Sequence, residues 1–389
     1  MKHMNYILGT ALLLFMTGTS YGCNLKAHTK ENTTLITRYT SEKPKEQYVK
    51  IALLLDTSNS MDGLINQAKA QLWDIVNEFT HAKCGTNVRP SLQIALYEYG
   101  NDNLSSQEGY IRQVLGFSND LDEISEKLFS LTTNGGEEYC GQVIHTSLKQ
   151  LDWGKNAGDL KMIFIAGNEP FTQGKLDYKD AATNAQEKDV IVNTIFCGNY
   201  DQGISTMWKK GAMLTGGEYM AIDHNRQVVH INTPYDDIII QLNSKLNNTY
   251  ISYGSIGRQK KALQSMQDAN AAELEEVVAV KRAVSKSSRL YKNSQWDLVD
   301  AAEDDESIIS EFKEKELPEE LQGKSENEIK AYVKEKKAER QEIQKKIQEL
   351  NAKREVYIAE HQKEETGELE NAMLSAIKTQ ASKKNFTWD

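Results

Sequence analysis

Residues 49–60 read VKIALLLDTSNS, and the rest of the chain is best read outward from them. The run from Val49 to Leu55 is apolar except at Lys50. Such continuity suits a strand covered on both faces better than one with a face in water. Asp56, Ser58 and Ser60 follow at alternate positions, just before the helix-like segment LINQAKAQLWDIVNEF at 64–79. One acid and two hydroxyls on a tight loop present three oxygens, a set suited to a hard divalent cation such as Mg2+. The same spacing also fits a helix N-terminus in which Ser60 or Asp62 caps the first turn.

Five further apolar runs lie downstream: LQIALYEY at 92–99, IRQVLGF at 111–117, KMIFIAG at 161–167, VIVNTIFCG at 190–198 and EYMAI at 218–222. Helix-like segments at 141–153, 178–189 and 204–216 separate most of them, and another at 233–251 follows the last. Near-continuous strands alternating with helices predict an α/β fold, a doubly wound, mostly parallel six-stranded sheet with helices on both faces. The second and third runs are joined by the polar loop GNDNLSSQEGY, which predicts a hairpin and one antiparallel edge. In such sheets ligands bind at the carboxyl ends of strands, which is where Asp56 falls.

The D-x-S-x-S triplet, the strand before it and the six-strand alternation resemble the von Willebrand factor A domain and its metal-ion-dependent adhesion site, over residues 48–251. The resemblance implies a binding protein rather than an enzyme. Asp56, Ser58 and Ser60 would hold Mg2+ or Mn2+, and the cation would accept an exposed carboxylate from a protein partner. The family usually completes the site with a Thr from a second loop and an Asp from a third. Here the second loop, TTNGGEEYCG at 132–141, places Glu137 where the Thr is expected, and the third, IFIAGNEPF at 163–171, places Ala166 and Gly167 at the Thr and Asp positions. Two arrangements stay open. Glu137, with Asn168 or Glu169, relocates the acidic ligand and keeps a metal, or Glu137 fills the site and leaves a metal-free recognition surface.

The two ends of the chain carry different signals. Residues 1–22 read as an export signal, with Lys2 and His3 ahead of an apolar run from Ile7 to Met16 that is too short to span a bilayer. Cys23 follows Gly22 directly, which resembles the lipobox of bacterial lipoproteins and implies an acylated Cys23 anchoring the chain in a bacterial envelope, periplasmic or surface-facing. Ser20 and Gly22 equally suit ordinary signal cleavage and secretion. Residues 23–47 read as a lipid-anchor cysteine followed by a flexible tether. Of the other cysteines, Cys140 and Cys197 are expected near the rim of the site and could pair as a disulfide, reduced thiols being the alternative.

Residues 256–389 are rich in helix formers and predict a C-terminal helical region. Ile343, Ile347, Leu350 and Tyr357 form a coiled-coil-like seam interrupted by Arg354, suited to internal packing or to self-association. The closing KKNFTWD places Phe386 and Trp388 as a hydrophobic latch.

A net charge of −10 gives no basic footprint for nucleic acid. The seven histidines are scattered without zinc-ligand spacing, and no nucleophile elbow or phosphate loop follows a strand. Cys140 and His145 lie five residues apart, on different faces of a helix, and make no catalytic pair. The competing functional expectation is a structural or assembly scaffold acting through its C-terminal helices, with a metal-free A domain.

Overall fold

Among the described residues eight strands carry the architecture: β1 (Tyr48–Asp56), β2 (Ala82–Cys84), β3 (Ser91–Tyr99), β4 (Ile111–Ser118), β5 (Leu160–Gly167), β6 (Ile191–Cys197), β7 (Tyr219–Ile222) and β8 (Phe386–Trp388). The computed structural model describes residues 46–59, 61–85, 88–223, 231–311, 313–361 and 368–388, with backbone alone at 368–371. The export signal, Cys23, all but the last two residues of the tether and Ser60 lie outside the described residues.

Six strands form the sheet, in the order β4-β3-β1-β5-β6-β7. Every neighbouring pair is parallel except β3 with β4, the predicted hairpin. From β1 the chain builds outward through β3 and β4, then crosses back to β5 on the other side. Strand order therefore reverses between β1 and β5, and the loops after these two strands bound the crevice where such sheets bind ligands.

Strand alternation divides the interior into two cores. Ile51, Leu53 and Leu55 of β1 pack on one side with Leu64, Ile65 and Leu72 of α1 (Asp62–Thr80) and Ile124 of α2 (Leu121–Phe129). Ala52 and Leu54 face the other side, with Val143, Ile144 and Leu148 of α3 (Cys140–Gln150) and Ala181 and Ala185 of α4 (Tyr178–Glu187). The single helix expected at 204–216 is two short ones, α5 (Tyr200–Ser205) and α6 (Trp208–Met213), separated at Met207, whose φ of 74° is left-handed.

The remaining helices are α7 (Asp236–Asn247), α8 (Gly254–Leu274), α9 (Glu276–Lys286), α10 (Leu298–Asp304), α11 (Glu326–His361) and α12 (Glu368–Ser382). They do not make a separate body. Val278 and Val280 of α9, Ile343 and Ile347 of α11, and Ile377 and Ala381 of α12 share the core on the α1 side, and residues 44–389 form one compact unit. The division expected between 251 and 256 is thus no boundary in packing. Ile251 and Tyr253 instead join Leu298, Leu321, Ile329 and Val333 in a small satellite core.

Three buried arginines bind the extension to the sheet domain. Arg282 of α9 pairs with Asp122 of α2 at 2.7 Å and Asp268 of α8 at 2.6 Å, and stacks 4.9 Å from the Trp73 ring centre. Arg340 of α11 reaches Asp297 at 2.7 Å, Asp300 at 2.8 Å and the Thr249 carbonyl at 2.7 Å. Arg354, the residue that breaks the apolar seam in sequence, pairs with Asp236 of α7 at 3.0 Å. Of the seam, Ile343 and Ile347 are buried in the shared core and Leu350 packs against it, while Tyr357 stacks on His361.

The latch is present. β8 runs antiparallel to β2, Phe386 is buried and the Trp388 indole donates to the Glu78 carbonyl at 3.2 Å. Among the described residues, no helix is long and apolar enough to cross a membrane.

Candidate functional site

The loop after β1 is held in place by the strand and loops beside it. Thr57 N–H donates to the Tyr99 carbonyl at 2.9 Å, and the Thr57 carbonyl accepts from Asn134 N–H of the second loop at 2.9 Å. Asn101 follows β3 and donates from its side chain to the Thr132 carbonyl at 2.9 Å, while Thr133 donates to Asp62 at 2.6 Å. Two loops distant in sequence are thereby pinned to the start of α1. At the start of α1 Met61 occupies the cap position and, among the described residues, no side chain caps it; Ser60 lies outside them.

At the centre lies Asp56, with no solvent exposure. Its Oδ1 accepts from Ser58 N–H at 2.7 Å, whereas Oδ2 has no hydrogen-bond partner among the described residues. The carboxylate beside it comes from Glu138, which is 3% exposed. Glu137, the residue expected there, points outward, exposed, and accepts from the Tyr139 phenol at 3.2 Å. The correction is one residue in register. The backbone of the second loop turns so that Glu138 faces inward, immediately before α3 begins at Cys140.

Burial, and then the charge of Glu138, pushes the Asp56 carboxyl well above the usual carboxylate range. Burial raises Glu138 as well. A hydrogen bond with Asp56, and then one with the Ser58 hydroxyl, lower Glu138, while the Ser58 backbone N–H and hydroxyl lower Asp56, offsetting the effect in part. Two acids withdrawn from water side by side are costly as anions, and a cation or protons would relieve them.

The third loop contributes backbone. Glu169 is exposed; its N–H donates to Glu138 Oε2 at 3.4 Å and its carbonyl accepts from the Trp208 indole at 2.8 Å. Asn168 is half-buried at the end of β5. Gly167 has a specific cause: a β-carbon there would stand 2.5 Å from the Tyr99 phenol oxygen and 3.2 Å from Asp56 Oδ2. The phenol, which donates to the Ala166 carbonyl at 2.9 Å, occupies the space where a side chain at 167 would begin. Gly100, with φ of 78°, performs the same service for the two acids, since a β-carbon there would meet Glu138 Cγ at 2.7 Å and Asp56 Oδ1 at 2.9 Å.

Tyr99, Gly100, Asn101 and Glu138 were not singled out by sequence. Three of them follow one another at the end of β3, and the only cue to the fourth was a pair of adjacent glutamates.

The donor set fits a hard divalent cation: a buried carboxylate oxygen without a partner, a second carboxylate and a serine hydroxyl are all oxygen ligands at one point. Asp56, Ser58 and Glu138 would hold it. Among the described residues no three His, Cys, Asp or Glu side chains cluster closely enough to hold a metal by themselves, so hydroxyl oxygens would have to share the task.

Cys140 and Cys197 are both free and buried, so the disulfide is not formed. Cys197 points into the core on the α1 side and Cys140 into the core on the α3 side, with the sheet between them.

Residues 50–207 match the family profile described as the von Willebrand factor type A domain. No curated protein matches the chain. Similar solved structures include proximal thread matrix protein 1 from the mussel byssus with a zinc-occupied MIDAS motif, at 14% identity and TM-score 0.36, covering 46% of this chain and 43% of that one. The conserved hypothetical protein BatB from Bacteroides thetaiotaomicron shows 15% identity and TM-score 0.34, covering 45% of this chain and 90% of that one. The pilus adhesin SpaC of Lactobacillus rhamnosus GG shows 14% identity and TM-score 0.33, covering 46% of this chain and 28% of that one. The sheet order and the profile match agree, and residues 50–207 form a von Willebrand factor type A domain.

Proposed function

We propose that the protein is a non-enzymatic binding protein whose A domain recognises a protein partner at the carboxyl end of its sheet, through a divalent cation, Mg2+ or Mn2+, held by Asp56, Ser58 and Glu138. Ser60, next in the triplet, is a fourth candidate. The observation that supports this reading is the unpartnered, fully buried Asp56 Oδ2 beside the Glu138 carboxyl. A cation there would retain an open position for an exposed Asp or Glu of the partner. The export signal and Cys23 support attachment to a bacterial envelope by a lipid.

The test is calorimetric titration of Mg2+ or Mn2+ into the full mature chain, alongside Asp56→Ala, Glu138→Gln and Glu137→Gln. Binding by the parent and by Glu137→Gln, with at least tenfold weakening in the other two, is the expected result. Absence of binding by the parent would end the metal-dependent reading.

A second reading is favoured by a different observation. The C-terminal helices share a core with the A domain and hold it through three buried arginines, as in a scaffold acting as one piece. Partner capture that survives Asp56→Ala would support it.

A further inference from the structure

At the far end of α1, whose nineteen residues make a helix about 28 Å long by the 1.5 Å rise per residue, the sheet domain and the C-terminal extension together line an open cavity. Its volume is about 290 Å³. It opens where α1 ends at Thr80, with β2 and Arg89 on one side, the segment after α9 on another and Gln348 of α11 closing the third.

Every ionisable side chain on its walls is basic: His81, Lys83, Arg89 and Arg289. In a chain of net charge −10 this is a local reversal of sign. Arg289 is fixed in place by backbone carbonyls, donating to Phe79 at 3.0 Å, Pro90 at 3.0 Å and Thr80 at 3.3 Å. Those carbonyls orient the guanidinium, and the end of the α1 dipole supplies only a partial negative charge. Arg89 and Arg289 line the same cavity, and burial, then the charge of Arg89, depresses the Arg289 pKa. His81 and Arg89 are exposed at the mouth. The buried Ser287 and Ser288 bring hydroxyls to the wall, and the first is held by the Gln348 amide at 2.7 Å.

We propose that this cavity is an anion site that binds a phosphate group through Arg89, Arg289 and His81. A tetrahedral oxyanion matches the fork of donors that guanidinium groups present, neutralises their mutual repulsion, and is small enough for the volume. The Ser288 hydroxyl and a ring N–H can complete its hydrogen bonds, the Ser287 proton being already donated to the Val284 carbonyl. The site is independent of the strand-end carboxylates, and it exists only because the extension is docked on the domain.

Two sources share this chemistry, a soluble phosphate compound and the headgroup of an anionic phospholipid. The experiment measures the melting temperature of the mature full chain against inorganic phosphate at constant ionic strength, with chloride as control. It is repeated on an Arg89→Gln/His81→Gln double variant, which leaves the helix-capping Arg289 intact. A saturable rise with phosphate in the parent, with at least tenfold weaker apparent affinity in the variant, is expected. A rise no larger than with chloride, or an equal rise in a variant whose circular dichroism shows the native fold, would overturn the proposal. Flotation with phosphatidylglycerol vesicles, using chain that lacks Cys23 and so any lipid of its own, then separates the sources. Parent that floats where the variant does not assigns a lipid headgroup, and parent that stays in solution while the phosphate response persists assigns a soluble phosphate.

Discussion

The phenol oxygen of Tyr99 stands 2.5 Å from the point where a β-carbon on residue 167 would be, so the tyrosine on β3 and the glycine on β5 require each other. An acid usual at this place in the family is excluded by a neighbour two strands away. Gly167→Ala should cost about 1–3 kcal/mol by overpacking, and Tyr99→Phe, which removes the clashing oxygen, should recover part of that cost. A double-mutant cycle in urea measures the coupling. Additive losses would show that the contact is not what excludes the side chain.

The paired acids make the metal-free chain respond to pH in a definite direction. The folded pKa of Asp56 lies above its unfolded value, near 3.9, so its contribution to stability is full below that value. It is lost as pH rises through the folded pKa. With chelator present, the melting temperature should fall as pH climbs from about 4 toward neutrality, and Asp56→Asn should flatten that part of the curve.

Asp268 gives the opposite slope. Although burial opposes its ionisation, the charges of Arg282 and Lys286 hold it well below the usual carboxylate range. Its contribution is present above about pH 4 and is lost as pH falls below that value. Acid unfolding of Asp268→Asn should accordingly show a shallower dependence below pH 4 than the parent.

Removing one member of a buried ion network strands the others. Arg340→Ala should cost about 3–5 kcal/mol, because Asp297 and Asp300 keep their burial and lose their partner. Since α11 and the sheet domain share a core, calorimetry should show a single transition shifted downward. Two separated transitions would mean that the extension melts independently.

The C-terminal strand is open to a simple test. Phe386→Ala should cost about 3–5 kcal/mol through the cavity left beneath β8, whereas Thr387→Ala, on the exposed side of the same strand, should cost little. Equal effects would point to loss of the strand pairing rather than loss of packing.

What could be read from the chain follows from periodicity. The six strands of the sheet, their helical connections, the antiparallel hairpin and the position of Asp56 were legible because continuous apolar runs and helix-like segments are local patterns. Strand β2 and helix α2 were not anticipated. Three residues make too short a run to register, and β2 exists because β8 pairs with it from the far end of the chain.

Local pattern alone established the sheet, its hairpin edge and the oxygen-rich turn after the first strand. Only the folded chain decided which of two adjacent glutamates faces Asp56, since a loop without periodicity gives no phase for its side chains. It also decided that Cys140 and Cys197 lie on opposite faces of the sheet, and that Ile343, Ile347 and Arg354 pack against the domain. Charges and apolar rows state what a surface can bury, and which surface buries them is set by packing across hundreds of residues.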